Sequence, residues 1–156
     1  TQDLGKTNKI FNEAYETFKT LGPDEIAFVM GVKGYEARAV QCRGWETVKG
    51  MPVHAKSAYY YNRMCEELDT GNKYEAISSG DKVRFMYVET PNKYGIGSMG
   101  FKYEWPEEFN EHFKIDYEKM FDKILFQSIS RFYDSVGWAI RKPTENVKTE
   151  LFDLFA

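Results

Sequence analysis

Between Lys49 and Arg63 the chain reads KGMPVHAKSAYYYNR, which gathers two lysines, a histidine, an arginine and three consecutive tyrosines. Ammonium and guanidinium groups bind phosphate oxygens without regard to base sequence, so Lys49, His54, Lys56 and Arg63 are candidate ligands for a phosphate backbone. The bland alternative is a solvated helix face, with Tyr59, Tyr60 and Tyr61 divided between core and surface and His54 a bystander. A second candidate lies upstream, where Gly31 and Gly34 bracket Val32 and Lys33. Backbone so bare of side chains can approach a phosphate closely, and Lys33 would complete the contact. The same spacing is equally that of a plain glycine-containing loop.

These residues need elements to position them. Pro52 suits the first turn of a helix and Gly50 the turn before it, which predicts a helix from there to about Leu68. On that helix Ala58, Tyr61, Cys65 and Leu68 form an apolar face, leaving the basic residues at its start and around the remaining circumference. Its first-turn amides could also face a phosphate. Upstream, Ile10, Ala14, Tyr15, Phe18 and Leu21 predict an amphipathic helix over residues 6–21 that ends at Gly22-Pro23, and Arg43-Gly44-Trp45 reads as an ordered loop. Downstream, KVRFMYVE after Gly80-Asp81 has strand periodicity, TPNKYG is a turn, and residues 96–103 return as a partner strand weakened by its glycines. A helical turn is expected over residues 106–112 and the longest helix over 116–136, with Gly137 at its end. The expected fold is α+β, mainly helical with three main helices, a small antiparallel two-stranded ribbon and a flexible C-terminal tail. Residues 1–140 form the domain and residues 141–156 the tail.

Composition bounds the function. At 156 residues, 42% hydrophobic and 17% aromatic, the chain fits one globular domain. Cys42 and Cys65 are too few and too far apart for a disulfide scaffold or a metal motif and read as free thiols. No apolar run approaches a membrane span and no secretory signal is recognisable, so a cytoplasmic protein without a membrane partner is expected. The chain opens on Thr1, which fits a processed chain or the end of a longer one. The net charge is −3, yet residues 30–63 carry six Lys and Arg against two Glu. Positive charge is thus concentrated around the organising stretch.

Catalytic motifs are not found: there is no P-loop, no dinucleotide fingerprint and no GxSxG, and His54 and His112 have no HExxH spacing. Asp116 and Glu118 open a helix, where acidic residues favour the N-terminal dipole, and they read as capping residues rather than metal ligands. No catalytic or metal-ligating residue is singled out. At the other end, RKPTENVKTE is a polar tether carrying LFDLFA. Leu151, Leu154 and Phe155 stand at i, i+3 and i+4, so one helical turn makes them an apolar plug for a partner.

Taken in order, GPDEIAFVMGVKGYE, KGMPVHAKSAYYYNR, KYEAISSGDKVRFMYVETPN, IDYEKMFDKILFQSISRFYDSVGW and KTELFDLFA give a pattern over essentially the whole chain. It resembles the C-terminal thumb region of the family B replicative DNA polymerases of tailed bacteriophages. The resemblance implies that the chain grips double-stranded primer–template DNA through Lys33, Gly34, Lys49, His54, Lys56 and Arg63, with Val32 in the approaching loop. It also implies that Leu151, Leu154 and Phe155 dock a sliding clamp. The glutamine that heads many clamp motifs is missing, and Ala156 stands where glycine is expected. The catalytic palm, exonuclease and finger motifs are missing too. The chain would therefore be inactive alone, a fragment of a longer polymerase or the product of a split gene, working beside the remaining polymerase domains in an infected bacterial host. It would need no cofactor of its own, since Mg would belong to the missing palm. The competing reading is a free-standing interaction protein that reaches a clamp or other partner through its tail without gripping duplex.

Overall fold

The computed structural model describes residue 9 and residues 12–125. In chain order the elements are helix α1 (residues 12–18), α2 (Pro23–Ile26), strand β1 (Phe28–Gly31), α3 (Tyr35–Ala39), α4 (Val53–Glu67), β2 (Lys82–Tyr87), β3 (Ser98–Phe101), a 3-10 turn at Glu107–Glu111 and helix α5 (residues 117–125). The class is α+β. The chain divides into two compact units, Gly22–Asp116 and, separately, Thr1–Leu21 with Tyr117–Ala156.

The larger unit is built on an antiparallel sheet of order β1-β2-β3. The expected two-stranded ribbon is therefore corrected to three strands. The added strand, Phe-Val-Met-Gly, shows no inside–outside alternation: Phe28 is only partly buried, and Val29 and Met30 remain about half exposed. Pairing makes it a strand: Phe28 lies opposite Phe85 and Met30 opposite Val83, and the Phe28 and Phe85 rings meet at 5.5 Å. Such cross-strand pairs join residues far apart in sequence, so no local pattern announces them. β3 is shorter than expected and fully buried, with Gly100 opposite Phe85 and Ser98 opposite Tyr87.

Helix α4 packs on β3 and β2. Ala58, Tyr61 and Cys65 are buried as their spacing predicts, Leu68 packs at the edge of the core, and Ala55, Tyr60 and Met64 are buried as well. The helix is thus clasped on more than one stripe. Its buried Ser57 hydroxyl donates to the Val53 carbonyl at 2.7 Å and lies 2.8 Å from the Ser98 hydroxyl of β3. Asn62 fastens the other end of the helix, donating to the Ile77 carbonyl and accepting from the Ile77 N–H, both at 2.8 Å. The turn after β2 is organised by Asn92, whose Oδ1 accepts the N–H groups of Tyr94 and Ile96 and whose Nδ2 donates to the Glu89 and Ile96 carbonyls. The helical turn expected over residues 106–112 is a 3-10 turn opened by Pro106, and it buries Phe109 against Tyr61.

In the smaller unit, α1 and α5 bring Tyr15 and Phe18 against Phe121, and the Tyr117 hydroxyl donates to the Leu21 carbonyl at 2.7 Å. Pro23 does more than end the first helix: it occupies the first turn of α2, where its lost N–H costs nothing. The expected extension of α5 to residue 136, the boundary at residue 140 and the tail lie outside the described residues. Among the described residues no helix is long and apolar enough to cross a membrane.

Candidate nucleic-acid interface

Lys33 and Gly34 form a short exposed bridge between two fixed points. Val32, buried, donates its N–H to the Asp81 carbonyl and accepts the Gly80 N–H, each at 2.9 Å. Tyr35, also buried, donates its N–H to the Ser79 hydroxyl at 2.8 Å. Between them Gly34 turns with φ 64 and ψ 30, a left-handed conformation that a β-carbon would strain. Gly31 is not part of this turn; it closes β1 opposite Lys82. The bare-backbone loop read between two glycines is therefore only Lys33-Gly34.

The central helix starts at Val53, with Pro52 as its N-cap residue and Gly50 supplying the turn at φ 82. No side chain caps its first amides. Lys56 and Arg63, two turns apart, share one side of α4, whereas His54 stands about 200° around the axis from Lys56. His54 therefore does not share their stripe. It is half-buried, and burial first and then the Arg38 guanidinium hold its pKa below the ordinary 6.5. At neutral pH it offers a ring N–H rather than a charge. Lys49 is exposed in the loop that precedes the helix.

Arg63 lies on a groove of about 280 Å³ between α3 and α4, lined also by Tyr35, Val40, Tyr59, Asn62 and the acidic Glu66. The Tyr59 hydroxyl donates to the Gly44 carbonyl at 2.7 Å. Burial foremost, with Cys42 and the Glu66 carboxylate, raises its pKa against the opposing pull of Arg63 and Arg43, so its electrostatic neighbours are of both signs. Arg43 is anchored through Nη1 to the Val40 and Cys42 carbonyls at 2.9 and 3.0 Å. At the inner end Asn62 donates to the Tyr35 hydroxyl at 2.9 Å, and burial pushes the Tyr35 phenol up to about 12, keeping it neutral.

Arg63 thus shares its groove with Tyr59 and Glu66, and His54 feels the charge of Arg38, while Lys33-Gly34, Lys49 and Lys56 occupy three separate segments. Arg38 and Arg43 were not singled out from the sequence, although both belong to the positively charged stretch of residues 30–63. Among the described residues none of Lys33, Arg38, Arg43, Lys49, Lys56 and Arg63 forms an ion pair. Lys19 with Glu16, Lys73 with Glu108, and Lys102 with Glu75 and Asp81 all do, at 2.7 to 3.1 Å. Leu151, Leu154 and Phe155 lie outside the described residues. Among the described residues no group of three or more His, Cys, Asp or Glu is placed to hold a metal ion. No protein-family model matches the chain, and no curated protein sequence matches it.

Proposed function

We propose that this chain grips double-stranded primer–template DNA without sequence preference, as the C-terminal thumb part of a phage family B DNA polymerase. The observation that carries the grip is the set of six cations in residues 33–63 with no carboxylate partner among the described residues. A surface cation left without a counter-charge can neutralise a phosphate without first breaking an internal pair, and each such contact releases a condensed counterion. Lys33, Lys49, Lys56 and Arg63, with the backbone at Gly34 and the His54 ring N–H, supply charge and hydrogen bonds that read phosphates rather than bases. The polymerase assignment rests on the ordered motifs of the sequence, and the tail, through Leu151, Leu154 and Phe155, is proposed to dock a sliding clamp. Tethering by the clamp would raise the effective concentration of the grip at the primer end.

The test is fluorescence anisotropy of a labelled primer–template duplex titrated with the full chain at several salt concentrations. Three to five phosphate contacts give a log–log salt slope of roughly −3 to −4 and micromolar or weaker affinity. Absence of binding at low salt would overturn an autonomous grip and favour a protein that acts through its tail alone.

A further inference from the structure

Glu36 is the acid nearest in sequence to Lys33, three residues along, yet it is not spent on that lysine. Its carboxylate is taken at both oxygens by one residue from a distant loop: Oε1 accepts the Ser79 N–H at 2.8 Å, and Oε2 accepts the Ser79 hydroxyl proton. The same Ser79 oxygen accepts the Tyr35 N–H, closing the first turn of α3 immediately after the Lys33-Gly34 bridge. Asp81, the other nearby acid, is likewise occupied. It accepts the Ser78 N–H at 2.9 Å and pairs with the buried Lys102 ammonium at 3.1 Å. The SSGD loop therefore supplies hydrogen-bond partners to both carboxylates while fixing the turn that carries Lys33.

We propose that Ser79 is a positioning residue for the DNA grip: by holding the Glu36 carboxylate away from Lys33 and pinning Tyr35, it keeps the Lys33 ammonium available to a phosphate. This inference rests on the reading of Lys33 as a phosphate ligand. Ser79 itself touches no DNA. Without its hydroxyl, Glu36 loses one of its two bonds and Tyr35 its N–H partner, and the freed carboxylate competes with phosphate for Lys33. A competing carboxylate removes one counterion-releasing contact, so its signature is a change in salt slope as well as in affinity.

The experiment is salt-dependent anisotropy of the full chain with a fluorescein-labelled primer–template duplex, using Lys33→Ala, Ser79→Ala, Ser79→Thr, Ser79→Ala/Glu36→Gln and Lys33→Ala/Ser79→Ala. Ser79→Ala is expected to weaken binding about threefold to tenfold and flatten the slope by about one, as Lys33→Ala does. Ser79→Thr, which keeps the hydroxyl, is expected to bind as the unsubstituted chain, and Glu36→Gln to restore binding in the Ser79→Ala background. In the absence of Lys33, Ser79→Ala is expected to add nothing. A Lys33→Ala loss with no effect of Ser79→Ala, or an additive loss in the double variant, or no rescue by Glu36→Gln, overturns the positioning role and leaves the grip standing. If Lys33→Ala itself changes nothing while the chain binds DNA, Lys33 is not a phosphate ligand and the inference falls with it.

Discussion

Gly100 of β3 lies directly against Ser57 of α4: a β-carbon at Gly100 would come within 2.8 Å of the Ser57 carbonyl oxygen and equally close to a methyl of Val83. The glycine is the contact surface on which the central helix rests. Backbone cannot retreat from a clash as a flexible side chain can, so Gly100→Ala is expected to cost about 1–3 kcal/mol of stability by overpacking. Gly97→Ala is the control, because that position is exposed and its β-carbon would meet nothing within 4 Å. Urea unfolding of the two variants checks the difference; equal midpoints would mean that α4 and β3 can separate freely.

Glu108 gives a prediction in pH. Its carboxylate accepts the Lys73 ammonium at 2.7 Å and the Tyr74 hydroxyl at 2.6 Å. These two bonds, Lys73 foremost, hold its pKa down at about 2 from an ordinary 4.5. A folded-state pKa below the unfolded one means that the unfolded chain binds the proton first as pH falls. The contribution of Glu108 is therefore complete above about pH 5 and fades between there and about pH 2. Urea midpoints of the unsubstituted chain and Glu108→Gln are expected to differ at neutral pH and to converge in acid. A gap that stays constant down to pH 2 would show that the carboxylate contributes through shape rather than charge.

The stretches whose residues answer to their own neighbours were the legible ones. Ala58, Tyr61 and Cys65 declare a buried helical stripe by spacing alone, and Gly50 declares a turn because few other residues adopt its φ of 82. What was not legible depends on partners far along the chain. β1 exists because Phe28 finds Phe85, and Gly100 looked like a flaw in a strand when it is the place where a helix comes close. Asn62 reads locally as a polar residue on a helix, yet both ends of its amide are spent on Ile77, fifteen residues away. The candidate interface divides in the same manner. The run of cations was visible in the sequence, whereas the partial burial of His54, which with the nearby Arg38 charge lowers its pKa, required the fold.

That lowered pKa shapes the expected response of DNA binding to pH. Because burial and Arg38 hold the imidazole pKa below 6.5, His54 gains its proton only in mildly acidic solution. Duplex affinity is expected to be flat from pH 8 to 7 and to rise as pH falls below 6.5, and the rise is expected to disappear in His54→Gln. A pH profile identical in that variant removes His54 from the interface.

Lys49 and Lys56 test the grip most directly, since neither forms an ion pair among the described residues that its removal would disturb. Each alanine substitution is expected to weaken duplex binding by roughly 0.5–1.5 kcal/mol, equally for any sequence, and to flatten the salt slope by about one. Anisotropy with two duplexes of unrelated sequence measures both quantities. Unchanged affinity and slope in both variants would place the grip elsewhere on the molecule.

The tail is predicted to act independently of all this. If Leu151, Leu154 and Phe155 form an apolar plug, its affinity comes from burying those side chains in a partner's pocket, a term that is nearly indifferent to salt, whereas the grip is governed by counterion release. Phe155→Ala is accordingly expected to abolish association with a phage sliding clamp in surface plasmon resonance while leaving duplex affinity and its salt slope unchanged. Lys49→Ala is expected to do the reverse. Normal clamp binding by Phe155→Ala would refute the plug, and a loss of both activities in either variant would mean that DNA and clamp are held by one surface.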